Sequence, residues 1–356
     1  MIATTSSAAN PHLDSRDRGG AQQPMLIAEN LRKYFPIHGG ILQRRIAEVK
    51  AVDAVSFSVM KGETLGVVGE SGCGKSTLAR LLMRLIEPDA GDVIFDGDPV
   101  GGMRGMSVRD LRRNMQMVFQ DSSSSLNPRM PVRDSIAYGP MAHGMDTRAG
   151  RALGAELLDK VGLRAATFGS RYPHELSGGQ KQRVNIARAL ALDPRLVILD
   201  EAVSALDKSV EAQVLNLLSE LKQELGLTYV FISHDLDVVQ YVSDRVLVMY
   251  LGQIVEIGPV AEIYARAHHP YTRALLNSRL SMNPAERVDE PAITGDPPNP
   301  INPPIGCRFR TRCAFAESVC TVAMPPLLEP AGGGHAVACH MAHPGTGHSR
   351  APNRVH

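Results

Sequence analysis

The sequence predicts an α/β fold that carries a helical insert and a cysteine-rich extension, and three observations support this prediction. Between about residues 26 and 280, strand-like apolar runs alternate with helix-like segments, as is typical of α/β proteins. Seven prolines between Pro284 and Pro304 are incompatible with a continuous helix or sheet. Four of the five cysteines follow, in residues 307–339. We therefore expect one α/β unit, then a linker and a small extension.

The composition disfavours several classes of protein. The 356 residues include 38 Lys and Arg against 37 Asp and Glu, and this near-neutral balance disfavours a protein that neutralises nucleic-acid phosphates. Eight Tyr, eight Phe and no Trp disfavour a stacking platform for single strands. No apolar run reaches the roughly 18 residues that a membrane span requires. We predict no nucleic-acid partner and a chain that does not cross a bilayer by itself.

The N-terminal 24 residues are rich in Ser, Ala, Asp and Arg and lack the apolar segment of a secretory signal, so we expect a cytosolic protein with reduced thiols. Changes in composition along the chain set the remaining boundaries. The expected divisions are a disordered leader (1–24), the α/β unit (25–280) with a helical subdomain at about 132–190, a Pro-rich linker (281–304), a Cys-rich C-terminal extension (305–341) and a disordered tail (342–356).

Short apolar runs mark the strands of the α/β unit. Asp53 to Val59 alternates apolar and polar residues as a half-buried strand does, and Thr64 to Val68 is a buried run that ends at a glycine-rich turn. From Val132 to Tyr172 the apolar spacing is helical, which favours a helical insert. Further strand candidates are Val93–Phe95, Met115–Phe119, Leu196–Leu199, Tyr229–Ile232 and Arg245–Met249.

The glycine-rich turn fits the phosphate-binding pattern G-x-x-x-x-G-K-[ST], after a strand and before an apolar helix. Its glycines let successive backbone N–H groups converge on phosphate oxygens, Lys75 adds a positive charge, and the Ser76 hydroxyl is a ligand for Mg²⁺. Cys73 occupies a free position of the pattern, which favours a small filler over a redox residue. The turn comprises Gly69, Glu70, Ser71, Gly72, Cys73, Gly74, Lys75, Ser76 and Thr77.

Two carboxylates follow the apolar run Leu196–Leu199. Unpaired charge is costly in a buried strand, so Asp200 and Glu201 are expected at the strand's exposed carboxyl end beside the glycine-rich turn. There Asp200 can hold Mg²⁺, and Glu201 can accept the proton of an attacking water. Together with the glycine-rich turn, the pattern predicts a site that binds a nucleotide and activates a water molecule for attack on its phosphates.

A third motif joins these two and identifies a family. The segment Leu176, Ser177, Gly178, Gly179 and Gln180 lies between them and resembles the signature of ATP-binding cassette (ABC) ATPases. Three other positions are similar to elements of that family: Gln120 to the Q-loop, Asp207 to the end of the D-loop, and His234 to the switch histidine. The resemblance covers about residues 25–280.

The resemblance implies a P-loop NTPase fold of ABC type with an antiparallel β subdomain. It also implies that two cassettes dimerise head to tail, so that each ATP is held by one P-loop and capped by the partner's signature. His234 would contact the γ-phosphate, and Gln120 would touch Mg²⁺ or the attacking water. An aromatic residue near the first strand would stack on adenine, with Phe35 or Tyr34 as the candidates.

Other segments resemble the ATPase subunits of dipeptide and oligopeptide importers, particularly the second of the paired subunits. These are Leu31–Ile37, Glu48–Asp53, Ser124–Met130 and His269–Leu275. The resemblance implies a second, paralogous ATPase, two membrane permeases, an extracytoplasmic peptide-binding protein and a peripheral position on the cytoplasmic face of the inner membrane. Nickel or glutathione import is an alternative, as is a soluble ABC ATPase outside transport. Four serines follow Asp121 where relatives carry larger residues.

The extension cysteines have the spacing C-x5-C-x6-C-x18-C, which fits zinc ribbons poorly. The tract resembles the Cys-rich extension of peptide-importer ATPases, which implies a [4Fe–4S] cluster. Zinc, with His340 or His335 as substitute ligands, and packing cysteines without metal remain alternatives. The residues concerned are Cys307, Cys313, Cys320 and Cys339.

Overall fold

The computed structural model describes residues 17, 19–20, 22–39, 44–102, 105–122, 124–278, 295, 298–330 and 333–353. Most of the predicted leader and of the predicted Pro-rich linker lies outside the described residues. In the described part of the chain no helix is long and apolar enough to cross a membrane.

The strands form two sheets. They are β1 Pro24–Gly39, β2 Arg44–Met60, β3 Thr64–Val68, β4 Ala90–Phe95, β5 Asp98–Pro99, β6 Met115–Val118, β7 Leu196–Asp200, β8 Thr228–Ile232, β9 Arg245–Tyr250, β10 Gln253–Pro259 and β11 Ala336–Val337. One sheet is antiparallel, in the order β2-β1-β4-β5; the other has the order β11-β10-β9-β3-β8-β7-β6. The fold is thus of mixed α/β type with an antiparallel subdomain, as the sequence predicted.

The helices surround the larger sheet or stand beside it. They are α1 Lys75–Leu82, α2 Val108–Asn114, α3 Val132–Ala142, α4 Thr147–Lys160, α5 Ala165–Phe168, α6 Gly178–Leu190, α7 Lys208–Leu225, α8 Leu236–Val242, α9 Val260–Arg266, α10 Pro270–Asn277 and α11 Ser318–Val322. Helices α3, α4, α5 and α6 pack on one another within residues 132–190.

The larger sheet is parallel from β9 to β6, with β10 and β11 added antiparallel at one edge. Successive residues of its central strands enter opposite cores. In β7, Val197 and Leu199 face a cluster with α6 and α7, whereas Leu196 and Ile198 face a cluster with α1 and the antiparallel sheet. Both faces are covered, which explains why these strands are continuous apolar runs rather than alternating ones.

The C-terminal extension is part of this architecture. Strand β11 pairs with β10 through Glu256 and Ile257, and so joins residues 336–337 to the main sheet. The expectation of a disordered tail is wrong for the described residues 342–353. Two imidazoles donate to main-chain carbonyls, His343 Nε2 to Val337 O at 2.7 Å and His348 Nε2 to Phe315 O at 2.9 Å, and both rings are buried.

Candidate functional site: the carboxyl edge of the parallel sheet

The predicted site residues follow neighbouring parallel strands. The glycine-rich turn follows β3, Glu201 follows β7 and His234 follows β8, while Gln120 comes two residues after β6. Because β6, β7, β8 and β3 are adjacent and parallel, their carboxyl ends lie at one edge of the sheet. Ligand sites of open α/β sheets form at this edge.

The glycine-rich turn requires glycine at two positions. Gly69 has φ 150° and Gly74 has φ 111°, a region that disfavours residues with a Cβ. A Cβ on Gly69 would also lie 2.3 Å from Met249 O, and one on Gly74 would lie 2.1 Å from Ala51 O. Gly74 is the N-cap of α1, so the first amides of that helix are directed to the space in front of the turn. This geometry suits an anion.

Lys75, the first residue of α1, is buried and turned back along the turn. Its Nζ donates to Gly69 O at 2.7 Å and to Glu70 O at 3.1 Å. These carbonyls satisfy the hydrogen-bonding capacity of the ammonium, and its flexible stem allows it to reach a nucleotide instead.

Ser76 and Asp200 lie close enough to each other to act together as ligands of one Mg²⁺ ion. Ser76 Oγ donates to Asp200 Oδ1 at 3.1 Å. Burial, and then the neighbouring Glu201, raise the pKa of Asp200, so a nearby cation would stabilise its ionised form. Mg²⁺ is usually bound by one or two protein oxygens together with phosphates and waters, and this pair fits that role.

Two candidate catalytic side chains, those of Gln120 and His234, converge on one atom of a third, Oε2 of Glu201. Gln120 Nε2 donates to it at 2.8 Å, and His234 Nδ1 lies 3.5 Å away. Glu201 has φ 49°, a left-handed conformation that is costly for a residue with a side chain. Its amide donates to Ile232 O at 2.9 Å, and Ser204 Oγ donates to its carbonyl at 2.9 Å, so β8 and the following turn hold this conformation.

The signature segment begins α6. Ser177 is the N-cap, and a capping box joins it to Gln180: Gln180 N donates to Ser177 Oγ at 3.4 Å, and Ser177 N donates to Gln180 Oε1 at 3.0 Å. Leu176 anchors the segment in the core, while Ser177 and Gly178 are exposed. A Cβ on Gly179 would lie 2.3 Å from Val210 Cγ1 of α7, so a small residue is needed there.

Asp207 is the N-cap of α7. It accepts a hydrogen bond from Val210 N at 3.0 Å, and this bond holds the pKa of its carboxyl below the usual value. The position that resembles the end of the D-loop therefore has a structural role within the chain.

The two aromatic candidates differ in their freedom. Tyr34 OH donates to Asp53 Oδ1, and burial followed by this bond raises the pKa of Tyr34 to about 12. Phe35 as a whole residue is 39% exposed. An exposed ring is available for stacking, so this difference favours Phe35.

Two of the serines after Asp121, Ser122 and Ser125, contact α6. Ser125 Oγ donates to Asn185 Oδ1 at 3.1 Å, and Asn185 Nδ2 donates to Ser122 O at 3.0 Å. Ser124 and Ser125 border a cleft of about 620 Å³ that is also lined by Asp200, Gln120 and the exposed Tyr138.

Sequence reasoning missed three residues that contact the site from far along the chain. Tyr271 OH accepts from Glu70 N at 2.8 Å, Arg312 Nη1 donates to Glu70 Oε2 at 2.9 Å, and Arg308 donates to Asp53. No spacing motif connects these pairs, which are more than 200 residues apart.

The expected metal site of the extension is not supported. In the described ranges, no group of three or more His, Cys, Asp or Glu side chains is arranged to hold a metal ion. The substitute zinc ligands are engaged elsewhere: His335 Nε2 lies 2.8 Å from Glu256 Oε1, and His340 Nε2 donates to Ala323 O at 2.9 Å. Burial raises the pKa of Cys307 to about 12 and that of Cys339 to about 11. All four cysteines are free thiols.

Two family models match the chain: the ABC transporter model over residues 52–204, and the model of the oligopeptide/dipeptide transporter C-terminal region over residues 255–320. The chain is 51% identical, over 90% of both chains, to a probable peptide ABC transporter ATP-binding protein, y4tS, of Sinorhizobium fredii. It is 49% identical, over 90% of its length and 98% of the relative's, to the oligopeptide transport ATP-binding protein AppF of Bacillus subtilis.

The structure is similar to solved structures of two other proteins. It matches cbiO1 of Clostridium perfringens, part of an ABC transporter complex, with a TM-score of 0.58 and 28% identity over 68% of this chain and 91% of the other. It matches the dimeric cassette MJ0796, solved in a post-hydrolysis state with ADP and Pi, with a TM-score of 0.56 and 25% identity over 66% of this chain and 99% of the other. The chain therefore belongs to the family of ABC transporter ATPases that comprises the ATP-binding proteins of peptide and oligopeptide transporters.

Proposed function

We propose that this protein hydrolyses ATP to ADP and phosphate and thereby drives the import of di- or oligopeptides through a membrane ABC transporter. The observation that carries the proposal is the convergence of Gln120 and His234 on Glu201 Oε2, at the same edge of the sheet as the glycine-rich turn. The names of the two relatives support peptides as the cargo.

The chemistry follows from the position of each side chain. The Glu201 carboxylate accepts a proton from the attacking water, while Gln120 and His234 orient that water. Lys75 exchanges its loop carbonyls for the β- and γ-phosphates, and the amides at the start of α1 bind the same oxygens. Ser76 and Asp200 would hold Mg²⁺, which neutralises charge on the phosphates.

Hydrolysis in this proposal requires a second cassette placed head to tail. The exposed N-terminus of α6, with Ser177 and Gly178, presents amides and a hydroxyl away from the chain's own core. A helix N-terminus of this kind binds the γ-phosphate of a partner's ATP favourably. The dimeric form of the related cassette MJ0796 supports this arrangement.

The remaining subunits complete the transporter. We propose a paralogous second ATPase, two membrane permeases and an extracytoplasmic peptide-binding protein, with this subunit peripheral on the cytoplasmic face of the inner membrane. The transport roles in the names of the relatives support these partners. Co-purification of the chain with all four kinds of subunit tests this part of the proposal.

A metal cluster in the extension is a narrower proposal, and no step of the hydrolysis depends on it. Its support is limited to the chemistry of four free thiols and to the backbone bond from Cys307 N to Cys320 O at 2.9 Å, because the described residues hold no group of three ligands arranged for a metal. We propose an iron–sulfur cluster there. Iron and acid-labile sulfide in anaerobically purified protein are the expected result; colourless protein, with or without zinc, would refute it.

The test of the main proposal is peptide-dependent ATP hydrolysis by the complete transporter in proteoliposomes. Peptide-loaded binding protein should stimulate hydrolysis, and radiolabelled peptide should enter the lumen only with ATP. Stimulation by nickel or by glutathione alone would assign the alternative cargo. Hydrolysis by the purified chain without any membrane partner, insensitive to all three cargoes, would favour a soluble ABC ATPase.

A further inference from the structure

The C-terminal extension contacts the nucleotide site through Glu70, the second residue of the glycine-rich turn. Arg312 Nη1 donates to Glu70 Oε2 at 2.9 Å, and the side chains of Arg312 and Glu70 are 7% and 22% exposed. Charge-assisted hydrogen bonds that are largely shielded from water are stronger than surface ion pairs.

The same turn residue is held a second time through its backbone. Tyr271 of α10 is fully buried and accepts the Glu70 N–H at 2.8 Å. Tyr271 packs in an aromatic cluster with Tyr250 and Phe309, whose ring centroids lie 4.6 Å and 5.4 Å from its own. Since Phe309 belongs to the extension, the extension supports both contacts to Glu70.

Glu70 is in turn connected to the phosphate-binding lysine. Its carbonyl accepts a hydrogen bond from Lys75 Nζ at 3.1 Å. A displacement of Glu70 therefore changes the environment of Lys75 and the course of the turn whose amides face the nucleotide.

A second connection reaches the strand that carries the aromatic candidates. Arg308 of the extension is buried and donates to Asp53, whose other carboxylate oxygen accepts from Tyr34 OH. The extension thus contacts the site on both its phosphate side and its base side.

We propose that the C-terminal extension positions the nucleotide site, with Arg312 as a positioning residue that sets ATP affinity through Glu70. Coupling free energies are reciprocal, so ATP binding stabilises the extension by the same amount. The extension is then an internal regulator: any ligand or modification that alters its fold alters the affinity of this subunit for ATP.

The test is binding of a fluorescent ATP analogue with Mg²⁺ to the full chain. Arg312→Gln should weaken affinity by about three- to tenfold, and Arg312→Lys should restore part of the loss. Arg310→Gln is the matched control, because Arg310 Nε donates to Ile305 O within the extension at 2.9 Å, and its affinity should equal that of the wild type. Wild-type affinity in Arg312→Gln would overturn the proposal.

A double-mutant cycle protects the test against misfolding. Glu70→Gln should reproduce the loss, and Arg312→Gln combined with Glu70→Gln should lose no more than either alone. If Arg312→Gln does not fold, Glu70→Gln alone must weaken ATP binding, and an unchanged affinity refutes the proposal. In the complete transporter Arg312→Gln should raise KM for ATP and leave kcat within about twofold.

Hydrogen exchange of residues 305–322 measures the reciprocal effect. ATP with Mg²⁺ should slow exchange in the wild type and in Arg310→Gln but not in Arg312→Gln. Equal protection in all three proteins would contradict the coupling. A wild-type chain that binds no ATP would refute the proposed function itself, whereas normal wild-type binding with an unaffected Arg312→Gln variant refutes only this inference.

Discussion

At the carboxyl edge of the sheet, Ser76 meets Asp200 and Gln120 meets Glu201 because the strands before them are neighbours in one parallel sheet. In the extension, Arg312 reaches Glu70 across 242 residues, and the strand pairings of the described residues do not bring these two residues together. The first contacts follow from topology, whereas the second depends on how an aromatic cluster packs. The catalytic contacts thus arise from neighbouring strands of the sheet. The contact that we propose to adjust the affinity for ATP comes from a residue of the extension outside those strands.

The largest effect is expected when the proposed general base is removed from the carboxyl edge of the sheet. Glu201→Gln should lower kcat for ATP hydrolysis by about 10²- to 10⁴-fold, because an amide cannot accept the proton of the attacking water. ATP should still bind and should accumulate in a stable dimer of cassettes, measured by size-exclusion chromatography. The control is Glu220→Gln, the same change at an exposed position of α7. Near-normal hydrolysis in Glu201→Gln would assign the proton transfer to another group.

Lys75 tests the phosphate side of the same edge. Lys75→Ala should weaken ATP binding by about 10- to 100-fold, because each charge-assisted hydrogen bond to phosphate contributes about 1.5–3 kcal/mol. Fluorescence titration measures the loss. Lys160→Ala removes a cation that pairs with Glu224 at 2.6 Å, and its ATP affinity should be normal. Equal affinities in both variants would rule out the phosphate contact.

Substitution of Ser177 distinguishes its role as a helix N-cap from its proposed contact with the partner's ATP. Both Ser177 and Ser107 are N-caps whose hydroxyls accept a backbone N–H, so Ser177→Ala and Ser107→Ala should each lower unfolding free energy by about 1 kcal/mol. Only Ser177→Ala should also reduce the ATPase rate of the dimer, by about tenfold, because it removes a bond to the partner's phosphate. Equal ATPase rates in the two variants would show that Ser177 acts only as a helix N-cap.

The smallest effect concerns pH and the region where α10 meets the extension. His269 is buried, its Nδ1 accepts from Tyr271 N at 3.1 Å, and burial lowers the pKa of His269 to about 4, with Glu256 opposing and Arg273 adding to this shift. The folded state therefore keeps the imidazole neutral while the unfolded chain, with a pKa near 6.5, takes up a proton. The contribution of His269 to the free energy of unfolding is fully present above about pH 6.5 and decreases as the pH falls towards 4.

At about pH 5.5 the loss is about 1.4 kcal/mol, or roughly 2 °C in Tm relative to pH 7.5. His269→Asn keeps an N-cap acceptor and removes the titrating group, so its Tm should decrease less over the same range. Differential scanning fluorimetry of both proteins measures the difference. Identical slopes for both proteins would exclude His269 as the source.

The features that could be predicted from the sequence lie mainly at the sheet edge, and those that could not lie mainly in the extension. The motifs around Gly69, Ser177 and Glu201 are local, and the rule that parallel strands end at one edge brings them together without further information. The preference for Phe35 over Tyr34 as the stacking candidate rests on the contact of Tyr34 with Asp53, which no local pattern encodes.

The extension was the part that the sequence described least well. The bonds of His343 and His348 to carbonyls hold residues 342–353, although their Gly-, His- and Pro-rich composition is typical of a disordered tail. Four cysteines in 33 residues suggested a metal, yet spacing alone does not fix the directions of buried side chains. Pairings such as Arg312 with Glu70 depend on tertiary packing and have no signature in one sequence.

The most direct test of the account is the uptake of labelled peptide into proteoliposomes that contain the complete transporter and ATP in the compartment facing this subunit. We expect ATP-dependent accumulation with the wild-type chain and none above background with Glu201→Gln, although the variant assembles and binds ATP. Peptide uptake that proceeds equally with Glu201→Gln would contradict the central claim that hydrolysis at this edge of the sheet drives transport.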